Sequence, residues 1–347
     1  MIEILLAIFF ITVLLLFLGS GIWVAISMIG VSSIGMILFT SRPVGDAMAT
    51  TIWGASSSWT LTALPLFVWM GEILFRTKLS ENLFEGLAPW LQKLPGGLIH
   101  VNVVGCALFA AISGSSAATV ATVGKMSIPE LRKRKYPEKI LLGSLAGSGT
   151  LGLLIPPSII LIIYGVTVQE SIAKLFIAGI IPGIMIALIF MGYVIIWSLL
   201  NKNKMPLTEE NYSFLNKLSK SKQLIPVILL ILGVIGSIYT GIATATEAAS
   251  LGVVGALILS YFQKSLNLKT FKESLLGATK TSCMIAFILA GATFLSLAMG
   301  FTGLPRNLAI WIQNMELSPY VLIFVLMIFY IILGMFLDGI SAVVLTM

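Results

Sequence analysis

The chain has 347 residues, 58% hydrophobic and 10% charged, with a formal net charge of +7. A mean hydropathy of +1.05 excludes a water-soluble domain of this size. The positive balance does not point to nucleic acid, because the basic residues cluster in a few loops between apolar runs.

The run from Ile4 to Leu18 lacks a basic leader and a small-residue cleavage site, so it reads as a retained first helix and not a signal peptide. Helices are expected near 2–18, 21–40 and 60–75. Four loops then hold most of the 21 basic residues. Arg76, Lys78 and Lys93 form one group, and Arg132, Lys133, Arg134, Lys135 and Lys139 a second. Lys202, Lys204, Lys217, Lys220 and Lys222 form a third, and Lys264, Lys269 and Lys272 a fourth. The positive-inside rule places all four in the cytoplasm and the N-terminus outside. Helices at about 140–164, 172–200, 224–240 and 245–262 alternate correctly between these loops.

The stretch 98–128 does not alternate. It lies between two basic loops and must enter and leave on one side. Its first arm, Leu98 to Ala111, reaches only ~21 Å at 1.5 Å per residue, short of a ~30 Å hydrocarbon core. A re-entrant hairpin with Ser113-Gly114-Ser115-Ser116 at its tip fits both facts. The other reading is one kinked helix whose small residues allow close packing. Irregular backbone at membrane depth is tolerated where it is buried in protein or lines a wet cavity, which makes the tip a candidate site.

Gly147-Ser148-Gly149-Thr150-Leu151-Gly152 and Ile155-Pro156-Pro157-Ser158 interrupt the next helix. Two prolines remove two amide donors, so carbonyls near 152–153 should lose their usual partners. Freed carbonyls can coordinate sodium, and half-helix N-termini attract anions; a plain proline kink is the alternative. Further on, Gly241 to Ala249 opens a helix on the outer side. Thr244 or Thr246 followed by Glu247 fits an N-terminal cap, with ion coordination by Thr244 as the other option.

A helix at 274–298 leads to an external stretch and then an apolar arm at 319–337. Asp338 is the one carboxylate of that terminal apolar run. An intramembrane acid is costly and usually functional, although Asp is also a good N-cap. Two segments look like inverted copies. Trp90-Leu91-Gln92 precedes an apolar stretch and Ser113-Gly114-Ser115-Ser116-Ala117, and Trp311-Ile312-Gln313 precedes another and Asp338-Gly339-Ile340-Ser341-Ala342. Paired broken segments in two halves of a membrane protein point to a transport site.

His100 and the two cysteines, Cys106 and Cys283, fall in apolar segments and read as packing residues. No G-x-x-x-x-G-K-[ST] occurs, and Thr119 to Met126 is the nearest approach. No His/Cys metal cluster and no nucleophile–base constellation is present, so an intramembrane enzyme is not expected. Transport energy must then come from an ion gradient or another subunit.

Five segments, in order, resemble the large membrane subunit of a tripartite ATP-independent periplasmic (TRAP) transporter. They are Leu64-Pro65-Leu66-Phe67-Val68-Trp69-Met70-Gly71, Ser113-Gly114-Ser115-Ser116-Ala117, Gly152-Leu153-Leu154-Ile155-Pro156-Pro157-Ser158, Ala245-Thr246-Glu247-Ala248-Ala249 and Leu337-Asp338-Gly339. The resemblance implies an all-α polytopic protein of the bacterial inner membrane, with inverted repeats, two re-entrant hairpins and a broken helix, working as an elevator. It implies sodium-driven import of organic acids such as C4-dicarboxylates or sialic acid. A small four-helix membrane subunit and a periplasmic binding protein are the implied partners, and sodium ions the coupling ions, with no other cofactor.

The resemblance also implies residue roles. Ser115, Ser116, Ser158 and Asp338 match substrate-site positions. Ser113, Gly114, Gly149, Thr150 and Gly152 match one sodium site, Gly241 and Thr244 fall where a second is expected, and Gly339 of the second hairpin is a further sodium residue. The implied division is scaffold helices over 1–60, a first repeat over 61–164, linking helices and basic loops over 165–273, and a second, inverted repeat over 274–347. Family members continue into a second broken helix, so a chain ending at Met347 is expected to be incomplete and not to transport alone, leaving a role as an inactive scaffold. A divalent-anion/sodium symporter of a related two-hairpin family is the alternative.

The hairpin makes a direct prediction about topology. Cysteines introduced as Lys93→Cys and Lys133→Cys should label from the same face of the membrane; labelling from opposite faces would remove the hairpin.

Overall fold

The computed structural model describes residues 2–76, 79–206, 213–335 and 339–346, and Lys78 of the first basic loop lies outside them. Every regular element among the described residues is helical. α1 (Ile2–Gly19), α2 (Val24–Phe39) and α3 (Val44–Ser56) open the chain. α4 (Ala63–Phe75) and α5 (Leu79–Leu91) precede the pair α6 (Ile99–Ser113) and α7 (Ser116–Lys133). α8 (Glu138–Gly149), a 3-10 turn at Thr150–Leu153 and α9 (Ile159–Thr167) follow. Next come α10 (Ile172–Leu200), α11 (Phe214–Ser221), α12 (Ile225–Tyr239) and α13 (Ala245–Phe262). The last are α14 (Leu268–Thr302), α15 (Leu304–Gln313), α16 (Pro319–Gly334) and α17 (Gly339–Thr346).

Four stretches are long and apolar enough to cross a membrane: Ile172–Leu200, Phe214–Tyr239, Ala245–Phe262 and Leu268–Thr302. The protein is therefore a multi-pass helical membrane protein. Its packing forms two units, Met1–Leu61 with Cys283–Met347, and Thr62–Ser282.

In the first unit α1 packs on α2 and α15, α2 on α3, and α16 on α17. Met36, Phe294 and Ala298 form a core to which Val44, Ala47 and Met48 of α3 add. Those three residues lie one helical turn apart on one face. The sequence reading left this segment out of its helices, because Asp46, Thr50, Thr51 and Gly54 dilute the apolar stripe. Cys283 is exposed, whereas the sequence reading made it a core residue; its face of α14 is not covered by protein.

In the second unit α6 packs against α4, α5, α7, α8 and α10. Ile99, Val101, Val103, Cys106 and Phe109 of α6 are fully buried. Ile99 joins Ile140 and Val194, while Val103 and Ala110 join Leu151. A helix covered on all sides carries no amphipathic stripe, and α6 needs none. Some of its polar atoms are served locally, while His100 Nδ1 and Asn102 Oδ1 are buried without a hydrogen-bond partner among the described residues. Asn102 Nδ2 donates to the Leu141 carbonyl at 3.2 Å and to Ser144 Oγ at 3.0 Å, and His100 Nε2 lies 2.8 Å from the Pro95 carbonyl. His100 is thus a hydrogen-bonded packing residue. By contrast, Ile181, Leu188 and Ile189 of α10 are exposed, as a lipid-facing surface requires.

Polar clasps cluster at the basic loops. Arg76 pairs with Glu72 at 3.2 Å and Glu273 at 2.9 Å, and Trp69 Nε1 donates to Ser274 Oγ at 3.3 Å. Arg132 grips Glu138 at 2.6 Å, and this hydrogen bond holds the Glu138 carboxyl below its ordinary range. Trp90 Nε1 donates to Ser221 Oγ at 2.7 Å and Lys217 stands 5.4 Å over its ring, which seats α11 on α5.

α13 opens with a complete capping box. Thr244 Oγ1 accepts from the Glu247 amide at 3.3 Å, and Glu247 Oε2 accepts from the Thr244 amide at 2.8 Å. Thr244→Ala should cost about 1 kcal/mol. The expected outcome is a lower melting temperature in detergent at a fixed scan rate, with Thr244→Ser retaining most of the stability.

Candidate functional site

α6 ends in Gly114, whose φ is +59°. A Cβ there would stand 2.8 Å from the Pro157 carbonyl oxygen and 3.1 Å from the Ile159 amide nitrogen, so glycine is required by conformation and by space. Ser115 is extended and caps α7, its Oγ accepting from the Ala118 amide at 3.4 Å. α6 and α7 are thus two helices packed against each other and not one kinked helix.

The inside of the turn is a closed hydrogen-bond network. Thr119 Oγ1 donates to the Ser115 carbonyl at 2.7 Å, and the Thr119 amide donates to the same oxygen at 3.0 Å. With the Thr119 hydrogen committed, the one hydrogen of Ser113 Oγ has two acceptors, Thr119 Oγ1 at 3.0 Å and the Ser115 carbonyl at 3.3 Å, and Ser113 Oγ accepts from the Ser115 amide at 3.3 Å. The Ser115 carbonyl therefore has its acceptor capacity filled from within. Thr119 is fully buried and escaped the sequence reading, although its place four residues after the cap was a usable signal.

The second component is the break between α8 and α9. Helix gives way to the 3-10 turn at Thr150, and the Leu151 carbonyl accepts from the amides of Leu154 at 3.1 Å and Ile155 at 2.9 Å. Pro156 and Pro157 donate nothing. The Leu153 carbonyl thus loses its usual amide partner, as the two prolines lead one to expect, and a hydroxyl takes the amide's place. The Leu153 oxygen accepts the Ser158 hydroxyl at 2.6 Å. Ser158 is fully buried, its one hydrogen is committed, and it makes no side-chain cap on α9. Its remaining lone pairs can accept from a donor or a cation. Thr150 is exposed and donates to the Gly147 carbonyl at 2.7 Å.

Three contacts bring the two components together. The Ile159 amide donates to the Gly114 carbonyl at 3.3 Å. A Cβ on Gly152 would stand 2.9 Å from the Ser116 nitrogen and 3.2 Å from the Ser115 oxygen. A Cβ on Gly149 would meet Val120, with the Ser116 oxygen at 3.7 Å. α4 seals the tip, since a Cβ on its Gly71 would lie 3.0 Å from Ser113 Cα. Ser113 to Ser116 and Gly149 to Ser158 thus form one junction at which α7 and α9 both begin.

The junction brings the N-termini of α7 and α9 beside the C-terminus of α6. Two helix N-termini each present partial positive charge and free amides. Ser116 Oγ is buried without a hydrogen-bond partner among the described residues, and Ser115 uses its Oγ there only as an acceptor. Hydroxyl hydrogens at the start of α7 are therefore available to an anion. Gly241 and Thr244 take no part in this network. Gly241, at φ +72°, has open space around it, and Thr244 is engaged in its capping box. Gly339 begins α17 in the other unit. Asp338 and Leu337 lie outside the described residues.

Fold and junction together define a class: a multi-pass membrane transporter built around a helical hairpin and a broken helix. The family described as Tripartite ATP-independent periplasmic transporter, DctM component, matches residues 10–347. The chain belongs to this family, the large membrane subunits of TRAP transporters. The C4-dicarboxylate TRAP transporter large permease protein DctM of Pseudomonas aeruginosa is 32% identical over 318 residues, covering 91% of this chain and 74% of that protein. The sialic acid TRAP transporter large permease protein SiaM of Vibrio cholerae is 31% identical over 331 residues, 94% of this chain and 76% of its own length. The 2,3-diketo-L-gulonate TRAP transporter large permease protein YiaN of Escherichia coli is 31% identical over 299 residues, 84% and 68% of the two chains. These relatives are permease subunits and not enzymes.

Close approach at Gly152 makes a testable claim. Gly152→Ala should destabilise by roughly 1–3 kcal/mol, because two backbones must part. Gly143→Ala, on an exposed face of α8 with nothing within 4 Å of the added carbon, should be neutral or stabilising by up to about 1 kcal/mol. Equal melting temperatures for the two variants would contradict the packed junction.

Proposed function

We propose that this chain is the permease subunit of a sodium-coupled, binding-protein-dependent importer of organic acids in the bacterial inner membrane. The observation that carries the substrate class is the nearness of the α7 and α9 N-termini, which start at N-cap residues Ser115 and Ser158 and are tied by the Ile159–Gly114 hydrogen bond, with Ser115 and Ser116 hydroxyls beside them. Such a site favours a carboxylate. The names of the relatives support the same class, since C4-dicarboxylate, sialic acid and 2,3-diketo-L-gulonate are all organic acids.

In this reading Ser115 and Ser116 donate to the substrate carboxylate. Ser158, with its hydrogen on Leu153, contributes lone pairs beside a sodium ion. Backbone at Ser113, Gly114, Gly149, Thr150 and Gly152 supplies the remaining oxygens of the first sodium site. Carbonyls of the Gly241–Thr244 turn serve a second sodium ion. Asp338 is assigned to the substrate, and Gly339 to sodium. The repeat is supported by element order: each Trp-x-Gln lies at the end of a short helix, α5 or α15, followed by an apolar helix and then another helix. The scaffold over 1–60, the repeats over 61–164 and 274–347 and the linking region over 165–273 are the parts of an elevator. A small four-helix membrane subunit and a periplasmic binding protein are its partners.

The test uses the chain extended through a second broken helix, in complex with those two partners in proteoliposomes. Uptake of labelled succinate should require an inward sodium gradient and vanish when potassium replaces sodium. Ser115→Ala should weaken uptake about tenfold to a hundredfold, the loss of one hydrogen bond to a charged group at roughly 1.5–3 kcal/mol. Undiminished uptake by a normally expressed Ser115→Ala protein would overturn the assignment.

A further inference from the structure

A cavity of about 740 Å³ opens within the second unit, between the end of α4, α5, α7, α11 and the start of α14. Its rim carries Arg76, Arg134, Lys220 and Glu273, residues at or beside the basic loops, so it faces the cytoplasm. Most of the lining charge is already matched. Arg76 is held by Glu72 and Glu273, Arg134 stands 3.8 Å from Glu130, and Glu85 accepts from Gln223 at 3.3 Å.

Lys125 is different. It lines the cavity, is exposed, and has no hydrogen-bond or ion-pair partner among the described residues. One turn before it stands Thr122, another lining residue, only 2% exposed. The Thr122 hydroxyl is buried and has no hydrogen-bond partner among the described residues. Residues three apart on a helix are neighbours on its surface. An ammonium and a hydroxyl so placed match the two oxygens of one carboxylate.

The position of this pair matters. Ser115, Thr119 and Thr122 recur at helical spacing along α7, forming a hydroxyl row from the hairpin tip toward Lys125. We propose that Thr122 and Lys125 form a second, weak carboxylate subsite on the cytoplasmic side of α7, which holds an organic acid between the hairpin tip and release. This rests on the transport reading for the ligand's role. Glu85, Glu130 and Glu273 on the other walls keep the field mixed. The anion is attracted without being trapped, as a permeation pathway demands.

The subsite can be tested without transport. The purified chain in detergent is treated with a water-soluble acylating reagent, and modification of Lys125 and of Lys139 is followed by peptide mass spectrometry. Succinate at tens of millimolar should slow acylation of Lys125 at least threefold and leave Lys139 unchanged; N-acetylneuraminate, also a carboxylate, should do the same. Thr122→Val keeps the shape and removes only an unpartnered hydroxyl, so it should fold, and it should raise the half-protecting succinate concentration about tenfold. Equal acylation of Lys125 with and without succinate would overturn the proposal. So would protection by inorganic phosphate as strong as by succinate, or an unchanged Thr122→Val. Protection of Lys125 in a complex that shows no sodium-driven uptake would uphold the subsite while removing the importer reading.

Discussion

The second unit depends on one demand: every backbone amide and carbonyl at membrane depth needs a partner, and water is not there to supply it. A turn between two short helices and a break in a third both strand such groups. Here the two interruptions answer each other. The Ile159 amide, orphaned at the start of α9, finds the Gly114 carbonyl, orphaned at the end of α6. Ser158 reaches back to the Leu153 carbonyl, and Thr119 closes on the Ser115 carbonyl. Neither interruption is satisfied alone, which is why a hairpin tip and a broken helix occur as a pair.

Burial follows the same logic. α6 is too short to cross a bilayer, at 15 residues and ~22 Å, and it is enclosed by five other helices. α10 has 29 residues and leaves a broad apolar surface uncovered. In lipid that surface costs nothing, because hydrocarbon is as good a neighbour as leucine. Between α6 and α10, length separates the helix that must be surrounded by protein from the one that can face lipid, and the polar chemistry collects around the former.

Much of this was legible in the residues. Charge parity between the basic loops marked 98–128 as a hairpin, and its arms separate at Gly114 as read. Gly147 to Ser158 broke its helix for the reasons that prolines and glycines always do. Thr244 with Glu247 was a capping signature, and a capping box formed. What stayed hidden was direction. Nothing local tells whether the Ser158 hydroxyl caps the helix ahead or turns back to Leu153, because the choice depends on which amides the hairpin tip has already supplied. α3 was missed because its apolar face is three residues wide and means little until Met36 and Phe294 lie beside it. The cavity at Thr122 and Lys125 joins residues up to 198 positions apart, from Phe75 to Glu273, and no spacing rule reaches that far.

The close contact at Gly152 has a consequence for how such a sequence can change over time. A side chain at 152 would strike the Ser115 and Ser116 backbone, and one at 114 would strike Pro157. Backbone cannot be trimmed by a second substitution in the way a neighbouring side chain can. Drift at either glycine therefore has no compensating partner a single codon away. On α16, where no residue is buried, one apolar residue can replace another freely. Two glycines, which contribute no side chain to any chemistry, are the positions least able to wander.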